Sequence, residues 1–156
     1  MPDEPNPARF VADADVLAAD LLVGGPARDA LDLARAHEWV TLVASDPLLA
    51  DAEAVVGACA DADLAADWRE QIDQLREPVA HPDGDHPGLA SAYNGDAPHL
   101  LTFDADLQSA QAGATLRKHV DVSVRSPRAF VSLFDPESMY DVVVGGAYPG
   151  PDREIE

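Results

Sequence analysis

Aspartates follow two apolar segments of the sequence at the point where each segment ends. A Phe-Val-Ala segment leads into Asp13 and Asp15, and a Leu-Leu-Thr-Phe segment leads into Asp104 and Asp106. If both segments are strands of an open parallel sheet, their carboxyl ends lie at the rim where ligands bind. Carboxylate oxygens are the ligands that Mg²⁺ and Mn²⁺ prefer. The sequence therefore predicts a divalent-metal site at this rim.

The elements that would position these acids can be read from the spacing of apolar residues. Strands are predicted at about 9–13, 40–44, 99–103 and 120–124, separated by stretches with helical spacing. A helix start is indicated at Ser45-Asp46-Pro47, where a capping side chain precedes a proline. Strands that alternate with helices predict an α/β fold. We expect a three-layer α/β/α sandwich around a central, mostly parallel sheet of four to five strands.

The chain has the length of a single domain. Its 156 residues are enough to bury a sizeable core. Residues 1–8 are predicted to be a frayed N-terminus, 9–141 the domain, and 142–156 a Gly- and Pro-rich acidic tail, with only a final turn expected at Asp135-Pro136. No apolar run approaches 18 residues and no basic leader precedes one. We therefore expect a soluble, cytoplasmic protein without a membrane segment.

The charge is strongly unbalanced. There are 29 acids against 10 bases, the net charge is −19, and Lys118 is the only lysine. Repulsion between like surface charges is largely screened at molar salt. The composition resembles that of proteins from halophiles that accumulate salt in the cytoplasm. A binder of basic proteins is the alternative interpretation of the same charge.

Several segments resemble motifs of PIN domains, over roughly residues 9–134. RFVADADVLAADLL resembles the opening strand, with Asp13 after it, and SDPLLADAEAVV resembles the second strand-to-helix junction, with Asp51 on the helix. DHPGLASAYNGDAPHLLTFDADL resembles the long signature in which an acid precedes a helix and a strand ends in Thr-x-Asp, which gives Asp85 and Asp104. SPRAFVSLF resembles the closing element.

This resemblance implies a Mg²⁺- or Mn²⁺-dependent endoribonuclease. Asp13, Asp85 and Asp104 would be the metal ligands, and Asp51 would complete the catalytic acids. The family usually carries glutamate at the position of Asp51, and Glu53 is the alternative acid. Two-metal chemistry of this kind orients a water for in-line attack on a phosphodiester. Asp85 has a structural alternative, since it also suits the cap of a following helix.

Three further residues are expected to support the ligands. Asp15 and Asp106 are predicted to lie beside them, and Thr102 to hydrogen-bond a ligating carboxylate. Each also has an ordinary interpretation, as a solvated acid or a strand residue.

Four of the ten cations fall close together, at Arg117, Lys118, Arg125 and Arg128. Arg125 and Arg128 are predicted to contact substrate phosphates at the rim. The alternative is that Arg117 and Lys118 complement a helix C-terminus while the others pair with surface acids. No aromatic residue is predicted near the rim. RNA is the expected substrate, and a homodimer or an antitoxin-like protein is a possible partner.

Two other functions fit part of the pattern. Asp13 and Asp15 resemble the first motif of haloacid-dehalogenase-like phosphatases, in which the first aspartate is the nucleophile. That family requires a later lysine, for which Lys118 is the only candidate, and then an acidic pair after another strand, where Ser123-Val124-Arg125 supplies no carboxylate. The second alternative is a PIN-like module that has lost catalysis and binds RNA or protein.

Overall fold

The computed structural model describes residues 6–79, 97–103 and 123–152. Five strands form one sheet in which each neighbouring pair is parallel. The strands are β1 (Arg9–Ala12), β2 (Thr41–Ala44), β3 (Glu77–Pro78), β4 (His99–Leu101) and β5 (Ser123–Arg125). Helices flank this sheet in a three-layer α/β/α sandwich, which confirms the predicted fold class.

Six helices are described, and they are α1 (Ala14–Leu22), α2 (Gly25–Ala36), α3 (Asp46–Cys59), α4 (Ala62–Leu75), α5 (Pro127–Leu133) and α6 (Pro136–Val143). Several start where a short polar side chain accepts a hydrogen bond from the first turn. Ser45 accepts from the N–H of Leu48 at the start of α3, and Ser126 accepts from the N–H of Ala129 at the start of α5. These capping bonds satisfy donors that have no partner within the helix.

Three elements differ from the sequence expectation. Strand β3 is not among the four predicted strands, and α6 is a two-turn helix where only a turn was expected. The fourth predicted strand, 120–124, is described only from Ser123 onward. The observed strand β5 ends at Arg125, one residue beyond the predicted end. The predicted helix at about 106–118 lies outside the described residues.

The core is formed by the central strands and the helices that cover them. Phe10, Leu42, Leu100 and Leu101 are completely buried. Burial on both faces is the usual environment of a parallel sheet, and it requires nearly continuous apolar residues. On β1, β2 and β4 the polar side chains are confined to the first residue, and further polar side chains appear only after the strands end.

The strand order is β3-β2-β1-β4-β5. The chain moves outward from β1 through β2 to β3, and then crosses to β4 on the other side of β1. The direction of winding thus reverses between β1 and β4, and ligands of open α/β sheets bind at such a point. Ala12 is in register with Leu101, so Asp13 and Thr102 follow on adjacent strands. The N–H of Asp13 donates to the carbonyl of Leu101 at 2.8 Å.

The C-terminal segment packs against the end of α2. The Tyr148 hydroxyl lies 2.6 Å from Nε2 of His37, and the N–H of Asp152 donates to the carbonyl of Ala36 at 2.9 Å. Packed structure therefore continues beyond residue 141, where the sequence analysis ended the domain. Within the described residues, no helix has the length and apolar composition needed to cross a membrane.

Candidate functional site

Asp13 lies at the junction of β1 and α1. It is the N-cap of α1, and its Oδ1 accepts a hydrogen bond from the N–H of Ala14 at 2.9 Å. Its Oδ2 accepts from the hydroxyl of Thr102 at 3.2 Å. The positive end of the helix dipole stabilises a carboxylate in this position. Asp13 is therefore held at the rim between β1 and β4.

Asp15 lies in the first turn of α1 and faces the same point. Its Oδ2 accepts from the N–H of Phe103 at 3.0 Å and from the Thr102 hydroxyl at 3.2 Å. Its Oδ1 is buried and has no hydrogen-bond partner among the described residues. Burial raises the pKa of Asp15 above its ordinary value, and the charge of Asp13 adds to that rise, while the Phe103 N–H opposes it. Asp15 is thus a half-buried carboxylate whose charged form is disfavoured by burial.

Thr102 joins the two carboxylates. Its hydroxyl oxygen is 3.2 Å from Oδ2 of Asp13 and 3.2 Å from Oδ2 of Asp15, so these oxygens cannot be farther apart than twice that distance. The side chain is completely buried, and its N–H donates to the carbonyl of Arg125 at 3.0 Å. A hydroxyl has one proton, so it cannot fully satisfy both carboxylates at once.

The other predicted acids lie elsewhere or outside the described residues. Asp85, Asp104 and Asp106 are among the residues that the structure does not describe. Asp51 is exposed on α3, and Glu53 forms an ion pair with Arg69 at 3.4 Å. Among the described residues, no group of three or more histidines, cysteines, aspartates or glutamates is arranged to hold a metal ion. Asp13 and Asp15 are the acids that the described part brings together at the rim.

The described arginines differ in whether they are bonded to acids or main-chain carbonyls. Five donate hydrogen bonds to carboxylates or main-chain carbonyls, namely Arg9, Arg28, Arg35, Arg69 and Arg76. Arg125 and Arg128 form no ion pair with any acid in the structure's described ranges. The alternative in which these two arginines pair with surface acids stays a prediction, because several acids nearby in the sequence lie outside the described residues. Arg117 and Lys118 also lie outside them.

Arg125 extends into a pocket between the sheet and the last two helices. The pocket is lined by His99, Arg125, Phe130, Leu133, Phe134 and Met139. Nε of Arg125 and Nδ1 of His99 are both buried there, and neither has a hydrogen-bond partner in the part of the chain that the structure describes. Burial, together with the charge of Arg125, lowers the pKa of His99 to about 4. Arg128 is exposed on the first turn of α5.

Phe103 is a residue that the sequence analysis did not assign to the site. The residue is 47% exposed, whereas the other three phenylalanines are at most 6% exposed. The prediction that no aromatic residue lies near the rim is wrong, because β4 ends at Leu101 rather than at Phe103. The only sequence signal is its position between Thr102 and Asp104, one residue beyond the buried part of the segment.

Comparison with known proteins gives a family but no function. A family model described as "Family of unknown function (DUF7384)" matches residues 4–156. No curated protein and no solved structure matches the chain.

Proposed function

Because the chain belongs to DUF7384, a family of unknown function, we propose a function from the site itself. The proposed function is that of a PIN-like ribonuclease that depends on Mg²⁺ or Mn²⁺. The observation that carries this proposal is the pair of carboxylates, Asp13 and Asp15, which share the buried hydroxyl of Thr102. The pair lies at the point between β1 and β4 where open α/β sheets bind their ligands.

The residues present fit a hard divalent cation. A buried carboxylate oxygen without a hydrogen bond is costly, and Oδ1 of Asp15 is such an oxygen. The side-chain donors that the described residues bring to the rim, from Asp13, Asp15 and Thr102, are oxygens, which Mg²⁺ and Mn²⁺ prefer. Asp13 and Asp15 would hold the ion together with the predicted ligands Asp85 and Asp104. A divalent ion supplies Lewis acidity to a phosphoryl oxygen and lowers the pKa of a bound water.

The chain's own residues would fix the reacting groups in place. Thr102 and the N–H of Phe103 orient the Asp15 carboxylate, and the first turn of α1 orients Asp13. Arg128, which is exposed and forms no ion pair with the described acids, is available to a phosphate. Arg125, the last residue of β5, is the second arginine proposed to contact a phosphate.

The protein is proposed to work in a salt-rich cytoplasm. A net charge of −19 would repel RNA at low salt, so assays belong in molar KCl, where this repulsion is screened. RNA is the proposed partner of the site, and a second copy of the chain or an antitoxin-like protein is proposed as a protein partner.

The test is calorimetric titration with Mn²⁺ in molar KCl. We expect saturable binding by the wild type that is lost in Asp13→Asn and in Asp15→Asn. Asp67→Asn is the matched control, because it makes the same charge change at an exposed position of α4. The same proteins are then assayed for hydrolysis of RNA. Equal Mn²⁺ binding by all four proteins, or no binding, would contradict the proposal.

The phosphatase alternative is less well supported by the geometry. A nucleophilic aspartate needs a carboxylate oxygen that can approach phosphorus. Both Asp13 oxygens accept hydrogen bonds, one from Ala14 and one from Thr102, which favours a fixed ligand. Hydrolysis of p-nitrophenyl phosphate without RNA hydrolysis would favour the phosphatase. Mn²⁺ binding without either activity would favour the binding module.

A further inference from the structure

The pocket that Arg125 enters is distinct from the carboxylate pair. Its described lining residues come from the start of β4, the end of β5 and the last two helices, and four of them are apolar, namely Phe130, Leu133, Phe134 and Met139. The enclosed volume is about 20 Å³, which admits a group slightly larger than one water molecule. Leu133 is 62% exposed, so this wall continues to the protein surface. A ligand can therefore place one end inside the pocket and the rest along Leu133.

Arg125 gives this pocket a positive charge. Its Nε is buried without a hydrogen-bond partner among the described residues, and its side chain forms no ion pair with a described acid. His99, the other polar lining residue, is neutral near pH 7, because burial and the charge of Arg125 lower its pKa to about 4. A charge in an apolar environment is costly unless an opposite charge compensates it. The pocket therefore favours an anion.

The charge and the walls of the pocket select different parts of a ligand. The N–H groups of a guanidinium match the two oxygens of a carboxylate. Aromatic and aliphatic walls favour hydrocarbon, and a few polar groups then fix the orientation of the ligand. The small enclosed volume limits the length of the hydrocarbon part. A carboxylate on a short hydrocarbon chain meets all of these conditions.

We propose that this pocket binds a short-chain carboxylate, with the carboxylate on Arg125 and the hydrocarbon chain directed along Phe130 and Met139 toward Leu133. This inference goes beyond the nuclease proposal and does not depend on it, because the two sites use different side chains for their ligands. A guanidinium carries five N–H donors, so Nε of Arg125 can face the pocket while its other nitrogens contact a phosphate.

The test uses a methionine of the pocket as the reporter. The chain has two methionines, Met1 and Met139, so labelling with [methyl-¹³C]methionine gives two NMR signals, and Met139→Leu identifies the one from the pocket. Acetate, propionate and butyrate are titrated at pH 7 in molar KCl. We expect saturable shifts of the Met139 signal, with the affinity rising about fourfold for each added methylene. Butyramide, which has nearly the same shape without the charge, should produce no saturable shift.

Two variants assign the parts of the site. Arg125→Met should weaken butyrate binding roughly 10- to 100-fold, because a charged hydrogen-bond partner is lost. Arg128→Met is the matched control, since it makes the same charge change at an exposed position of α5 and should bind butyrate as the wild type does. Leu133→Ser should reduce the gain from propionate to butyrate and leave acetate binding unchanged, because it alters only the outer wall.

The outcomes that overturn the inference are distinct from those that concern the metal site. No saturable shift with any carboxylate, or equal binding of butyrate and butyramide, overturns it. Unchanged butyrate affinity in Arg125→Met overturns it as well, and if that variant does not fold, the comparison of butyrate with butyramide in the wild type decides. Equal affinities for acetate and butyrate overturn the hydrocarbon part in favour of a site for a small inorganic or organic anion. None of these results changes the expected Mn²⁺ titration.

Discussion

Acidification is expected to destabilise the fold through His99. This residue begins β4, and its ring packs against Phe130 with the centroids 5.1 Å apart. Burial and the charge of Arg125 lower its pKa from 6.5 to about 4. The imidazolium is therefore disfavoured in the folded protein, while the unfolded chain protonates normally. Stability that depends on the neutral ring is present above about pH 6.5 and is lost as the pH falls toward 4.

The magnitude follows from the difference between the two pKa values. At about 1.36 kcal/mol per pH unit, the interval from 6.5 to about 4 corresponds to about 3 kcal/mol of unfolding free energy. That is a large share of the roughly 5–15 kcal/mol by which domains are stable. Below about pH 4 His99 is protonated in the folded protein as well, so its contribution to the unfolding free energy no longer changes with pH.

The assay is urea unfolding in molar KCl at about one-unit steps from pH 7 to pH 4. His99→Phe keeps an aromatic ring beside Phe130 but cannot titrate, so the wild type should lose about 3 kcal/mol more than this variant across the window. The titration of surface carboxylates is common to both proteins and cancels in the difference. Arg125→Met should shift the lower end of the window upward, because it removes one cause of the low pKa. Parallel pH profiles for wild type and His99→Phe would refute the reasoning.

Three further predictions concern single contacts. Thr102→Val removes the hydroxyl shared by the two carboxylates and should weaken Mn²⁺ binding about 10- to 100-fold in calorimetry. An unchanged affinity would show that the hydroxyl does not orient the carboxylates. Asp20 is 3% exposed and paired with Arg35, so Asp20→Ala should lower the free energy of unfolding in urea by about 3 kcal/mol. A decrease of less than about 1 kcal/mol would mean that water solvates the ion pair. Tyr148→Phe removes the hydroxyl bonded to His37 and should lower the unfolding free energy by about 1 kcal/mol. No change would show that this hydrogen bond does not contribute to stability.

The fold class could be predicted because parallel strands carry a strong signal. Both β1 and β2 are short apolar segments followed by a helix start, and their bounds agree with the prediction to within a residue. Strand β3 carries no such signal, because Glu77 and Pro78 are exposed and pair only with Val43 and Ala44 at the sheet edge. Helix α6 was missed because Asp-Pro was interpreted as a turn, although an aspartate cap followed by proline also starts a helix.

The site could be predicted only in part. The sequence places Asp13 after a strand, but the pairing of β1 with β4 decides that Thr102 reaches both Asp13 and Asp15. That pairing joins residues nearly ninety positions apart in the chain, and no local pattern encodes it. The exposure of Phe103 was hidden for the related reason that an apolar residue at the end of an apolar segment is expected to be buried.

Burial distinguishes the acids of this site from the acids that cover the surface. In a chain with 29 carboxylates, the presence of aspartate at a given position carries little information. Asp51 and Asp67 are exposed on their helices, where water solvates the charge. Asp15 instead has one oxygen buried without a partner and a second that shares a hydroxyl with Asp13. An arrangement that costs free energy in the absence of a ligand is the physical reason to look for a cation at this position rather than at any other acid described in the chain.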